Sequence, residues 1–159
     1  MLDPHSDLWP DDIAEVGNLV TPLSVLKEQA ALLARKTNNL LKASVVRWHE
    51  EYADQWAYGW AFYLVAPVLS DYKYLLFTIK QDTKLYPLVI ENRPGDATTV
   101  KISNQEEFLA ELRAIFCHTE TKSVIKAMLA QVRDFGGNGS APTIHAAAVD
   151  AVTEDDTWP

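Results

Sequence analysis

The stretch Ala57 to Leu69, AYGWAFYLVAPVL, decides the fold. Read with the two-residue period of a strand, Tyr58, Trp60, Phe62 and Leu64 share one face. Ala57, Gly59, Ala61, Tyr63 and Val65 share the other. Both faces are apolar, the pattern of a central strand covered on both sides. Pro67 belongs at a strand end, because it has no N–H to give a ladder. The run is too short to cross a bilayer as a helix, which takes about 20 apolar residues.

More strand signals lie on either side. Upstream, Ala43 to Glu51 is rich in β-branched and aromatic residues. Downstream, Tyr72 to Lys80 follows a turn at Ser70-Asp71, and Leu85 to Glu91 follows Gln81-Asp82-Thr83. Arg93-Pro94-Gly95-Asp96 places Pro and Gly at the two central positions of a type II turn, ahead of a fifth strand at Thr98 to Ile102. Connections this short join neighbours antiparallel, so the five strands read as a meander.

Helical spacing brackets the strands. Thr21 is a good N-cap, and Pro22 suits the first helical position. Leu23, Leu26, Ala30, Leu33, Leu40 and Leu41 then recur at three and four, with Thr37 in the stripe and Asn38-Asn39 as the fading point. Ser103 and Glu106 form the expected capping box of a second helix with Phe108, Leu109, Leu112, Ile115 and Phe116 on its apolar face. A third helix, capped by Thr119 or Thr121, carries Val124, Ile125, Met128, Leu129 and Val132 and ends at Gly136. The expected class is therefore α+β: an N-terminal helix, a five-stranded antiparallel meander, and two C-terminal helices packed on the sheet.

Charge divides the chain of 159 residues unevenly. Residues 1–18 hold Asp3, Asp7, Asp11, Asp12 and Glu15 without a base, and residues 136–159 hold Asp150, Glu154, Asp155 and Asp156 without a base. The middle is near neutral, so the two ends account for the net charge of −8. This predicts an acidic N-terminal segment (1–18), one α+β domain (19–135) and a Gly/Ala-rich acidic tail (136–159) that begins in the linker-like Gly136-Gly137-Asn138-Gly139-Ser140. Such a balance argues against nucleic acid as a partner, since a phosphate backbone needs a positive field. A single cysteine excludes an internal disulfide framework and a Cys-rich zinc site. The start has neither the basic residues nor the apolar core of a secretory signal, and a cytoplasmic protein without membrane attachment is expected.

No catalytic constellation emerges from the residues, and no cofactor or metal is expected. Phosphate-loop, nucleophile-elbow and zinc-protease motifs are absent from the sequence. Cys117 and His118 are adjacent on a helix and point about 100° apart, so they do not face each other as nucleophile and base. The thiol is expected to be buried or half-buried. Arg47, His49 and Glu51 alternate with Val46 and Trp48 on the first strand, which puts three polar groups on one face. They are the candidate ligand site. The competing account is the charged strip that discourages aggregation along an edge strand.

Aromatics are concentrated: ten of sixteen fall between Trp48 and Phe77. Most are expected in the core. Tyr52 and Trp56 have no periodic reason for burial, and Trp9 and Trp158 stand beside Pro among acids. Those four are the expected partner-binding residues, because Trp and Tyr anchor interfaces. Together the features point to a non-catalytic protein-interaction module, such as a small cytoplasmic inhibitor, an immunity or antitoxin-type protein, or an accessory subunit. The partner would be another protein with a basic surface, and a homodimer is a further expectation from the edge strand and the aromatics. Two alternatives stand beside it. One is a small-molecule binder or enzyme with a pocket between helices and sheet, using Arg47, His49 and Glu51. The other is a binder of single-stranded nucleic acid through aromatics near Lys73, Lys80, Lys84, Arg93 and Lys101.

Overall fold

In the computed structural model, which describes residues 1, 3–48, 58–91, 93–95 and 99–137, helix formation begins where the sequence offers a cap. Thr21 Oγ1 accepts from the Ser24 N–H at 3.1 Å, and Ser24 Oγ accepts from the Thr21 N–H at 3.2 Å. Pro22 occupies the first turn of α1 (Pro22–Lys36). The helix stops before Thr37, and Asn38 and Asn39 take up left-handed backbone at φ 51° and 63°, a conformation Asn tolerates better than most residues. The Thr37 hydroxyl then donates to the Leu33 carbonyl at 3.0 Å and accepts from the Leu41 N–H at 3.2 Å. That junction turns the chain into the sheet and leaves Leu41 buried and Leu40 exposed.

Five strands follow in a meander: β1 (Lys42–Arg47), β2 (Tyr58–Ala66), β3 (Tyr72–Gln81), β4 (Leu88–Glu91) and β5 (Val100–Ile102). Their spatial order is their chain order, and every neighbouring pair is antiparallel. A short 3-10 turn at Pro67–Leu69 joins β2 to β3. Two helices close the fold, α2 (Gln105–Cys117) and α3 (Thr119–Gly137). The architecture is the α+β arrangement expected from the sequence.

Register identifies the two faces of the sheet. Val45 lies opposite Phe62, Phe62 opposite Phe77, Ile79 opposite Ile90, and Leu88 opposite Ile102. These side chains join Leu26 of α1, Phe108, Leu112 and Ile115 of α2, and Met128 and Val132 of α3 in one core, so all three helices cover the same face. The rings of Phe62 and Phe77 stack at 5.1 Å and 8°, and Phe116 tilts against both. A bulge lies between the pairs Phe62–Phe77 and Tyr63–Leu75, which leaves Leu76 as the extra residue of β3. It lets Leu76 and Phe77, neighbours in sequence, both be buried.

On the opposite face Ala61, Thr78, Lys80 and Val89 are buried as well. Trp48 covers part of this face. Its N–H donates to the Gly59 carbonyl at 2.8 Å, and a Cβ at Gly59 would come within 2.6 Å of the indole ring. Lys80 Nζ sits 5.0 Å from that ring's centroid and 3.7 Å from Glu91 Oε1, so the ammonium keeps a counter-charge where it leaves bulk water.

Several boundaries differ from the sequence reading. The first strand ends at Arg47 instead of continuing to Glu51. The fourth starts at Leu88 because Leu85 has φ 75° and Pro87, after a cis bond, has no N–H for a ladder. Residue 98, placed in the fifth strand, lies outside the described residues, and β5 begins at Val100. The α2 cap sits one residue later than expected. Asn104 accepts from the Glu107 N–H at 2.9 Å, while Glu107 accepts from the Ser103 N–H at 2.8 Å. Neither Thr119 nor Thr121 caps α3. His118 precedes it, with Nδ1 accepting from the Glu120 N–H at 3.1 Å, and the buried Thr121 hydroxyl donates to the Ile115 carbonyl at 2.7 Å.

Candidate functional site

Three places in the fold hold the candidate residues or a cavity. The first is the N-terminal segment. Its backbone is shaped by local bonds: Ile13 N–H to the Pro10 carbonyl, Glu15 N–H to Asp12, and Leu19 N–H to Val16. Carboxylates add to it, since Asp3 accepts from the His5 N–H and Asp7 from the Trp9 N–H. Aspartate is well suited to such turns, its side chain bonding the backbone two residues on. The apolar side chains of the segment gain no cover. Leu8, Ile13, Val16 and Leu19 are exposed, and Trp9 is 73% exposed. Trp9, an expected partner-binding residue, is thus open to solvent. Tyr52, Trp56 and Trp158 lie outside the described residues.

The second place is the end of β1. Arg47 is exposed, and its guanidinium carbon stands 5.8 Å from the centroid of the Tyr58 ring. It occupies the edge strand of the sheet, opposite Trp60. His49 and Glu51, the other two members of the expected trio, lie outside the described residues. Nearby on the same sheet face, Trp60 Nε1 and Gln81 Oε1 are buried without a hydrogen-bond partner among the described residues, as is the Tyr86 hydroxyl. Burial raises the Tyr86 phenol above its ordinary pKa, since the charged form would lose water. Tyr74 is also raised, by burial first, then by the negative charge of Glu120 and by Tyr72.

The third place is the seam where the helices meet above the sheet. A cavity of about 310 Å³ opens there between Leu32, Leu33 and Lys36 of α1, Phe62 and Leu64 of β2, and Phe116 and Ile125 of the closing helices. A second cavity of about 380 Å³ continues it between Gln29 of α1 and Leu109, Leu112, Arg113 and Cys117 of α2. Both are lined by Gln29 and Phe116, so they form one furrow. Its lining is apolar, with Lys36 and Arg113 as the charged groups and no carboxylate. Leu109, expected in the core, is 44% exposed. The α2 stripe at 108, 109, 112, 115 and 116 is wider than the sheet can cover, and that surplus was the sequence signal for the furrow. Gln29, Lys36 and Arg113 gave no such signal, because charged and amide side chains on a helix read as a solvated face.

Chemically, the furrow can hold apolar groups beside a negative charge. Arg47 does not line it. Cys117 does, but its thiol is exposed, in contrast to the buried or half-buried thiol expected. His118 follows it as the α2 C-cap, its Nδ1 engaged by the Glu120 N–H. Among the described residues no group of three His, Cys, Asp or Glu side chains is placed to hold a metal ion, and no helix is long and apolar enough to cross a membrane. Comparison with family models, with curated proteins and with solved structures gives no match for this chain.

Proposed function

We propose that this chain is a non-catalytic protein-interaction module, acting in the cytoplasm as a small inhibitor, an immunity or antitoxin-type protein, or an accessory subunit. The observation that carries the reading is the uncovered run of apolar side chains on residues 8–19, held in a backbone with its own local hydrogen bonds. Apolar side chains scattered singly on a surface need no explanation, but a cluster of them marks a contact site. A Trp anchor among carboxylates suits a protein partner with a basic surface, where charge guides encounter and the aromatic supplies affinity. Tyr52, Trp56 and Trp158 belong to the same reading.

Affinity capture with the full chain tests it. A stoichiometric partner retained by the wild type and by Cys117→Ser should be lost with Trp9→Ala and weakened with Trp56→Ala. A partner held equally by all of these variants refutes the assignment of the contact to those aromatics.

A second reading, small-molecule binding, draws on the cavity of about 310 Å³ at the helix–sheet seam. Its polar groups are Gln29 and Lys36 rather than Arg47, so the ligand would be an apolar chain with an acidic end. Copurification and mass spectrometry of the intact protein would find such a ligand, and its absence from native preparations would count against the reading.

A further inference from the structure

Both halves of an interface are present on this one chain. The N-terminal segment offers Leu8, Trp9 and Ile13 uncovered, interleaved with Asp7, Asp11 and Asp12, and has no Lys or Arg before Lys27. The furrow between α1 and α2 offers an apolar floor at Leu33, Leu112 and Phe116, bordered by Lys36 and Arg113 and by no acid. Polarity and charge are thus complementary. We propose, building on the reading of the N-terminal segment as a docking element, that its partner is a second copy of this chain. The segment of one protomer seats in the furrow of the other, and the exchange is reciprocal.

The segment does not fill its own furrow. None of the described residues up to 20 lines either cavity, and the bonds from Ile13, Glu15 and Leu19 hold the segment in turns with its apolar side chains exposed. A two-fold arrangement uses both segments and both furrows and leaves neither exposed, which is how closed homodimers satisfy self-complementary surfaces. The acids of the segment approach Lys36 and Arg113 at the surface, so salt weakens the association.

Sedimentation velocity of the full-length protein over a wide concentration range, at low and high salt, tests this. The expected result is a monomer–dimer equilibrium that shifts toward monomer with salt. Trp9→Ala and Leu109→Glu should each raise the dimer Kd roughly tenfold or more, the loss typical of a central apolar anchor. Leu109 is already exposed, so its variant should fold, and an unchanged melting temperature checks this. Mixing the two variants gives the decisive result. Trp9→Ala brings an intact furrow and Leu109→Glu an intact segment, so heterodimers should form that neither makes alone. A monomer under all conditions, or a dimer indifferent to both substitutions, overturns the proposal. A monomeric chain that still loses a foreign partner on Trp9→Ala removes the second copy and leaves the docking segment standing. A Trp9-dependent dimer that captures no foreign protein keeps both the docking segment and the second copy and removes the foreign partner.

Discussion

Residues 8–20 and helix α1 differ little in the number of apolar side chains they carry, yet they end in opposite environments. The first places Leu8, Trp9, Ile13, Val16 and Leu19 in water; the second buries Leu26 completely and packs Val25, Ala30 and Leu33 against the core. Spacing makes the difference. In α1 the apolar residues recur on one side of a 3.6-residue turn, so a single docking event covers many of them. In the N-terminal segment Pro10, Gly17 and the turn-forming aspartates break any period, so no helical stripe forms to dock its apolar groups on the core. Hydrophobicity alone therefore does not place a residue inside; periodicity must first gather such residues on one surface.

The contrast can be broken most forcefully from the core side. Phe77→Ala removes the ring stacked on Phe62 and touched by Phe116, and should cost about 3–5 kcal/mol in denaturant unfolding. A loss below 1 kcal/mol would mean that the two rings are not the centre of the core.

Tyr86→Phe should act in the other direction. Its hydroxyl is buried without a partner among the described residues, so removing it should stabilise the fold by about 1 kcal/mol. The same variant should alter the alkaline limb. Because the folded state raises this phenol above its usual value of 10.0, it keeps a proton that the unfolded chain releases. Stability is thus intact below that value and declines as pH climbs past it. Without Tyr86 the decline should be shallower, with the raised Tyr74 still contributing. Melting temperatures from pH 8 to 11 check both the offset and the slope.

Thr21→Ala tests the boundary between the two regions. It removes the acceptor for the Ser24 N–H and should destabilise the fold by about 1 kcal/mol. Trp9→Ala should have the smallest effect on stability, within about 0.5 kcal/mol, because its side chain is mostly exposed. A larger loss would show that the segment packs on its own domain in solution.

Much of the fold was legible because its signals are periodic. The alternation at Tyr58 to Leu64, the stripes of α2 and α3, and the Thr21-Pro22 start each carry their cause in local chemistry. Gly95, placed in a turn from the Pro-Gly pair, adopts φ 73° and leaves no room for a Cβ beside the His118 ring. Illegible were features that depend on partners far away in sequence. The bulge at Leu76 and the pairing of Arg93 with Glu111 need the assembled sheet and helices to decide between local options. The furrow was legible only as the surplus width of the α2 stripe, since its other walls come from α1, the sheet and α3, far apart in sequence.

The cysteine at the end of α2 also has a practical use. Cys117 is the only thiol in the chain, is open to solvent, and lines the same furrow as Leu109 and Phe116. Its rate of alkylation is therefore a clock for the occupancy of that furrow. Whatever settles beside Phe116 should slow the reaction, and whatever leaves should restore it, with no residue replaced.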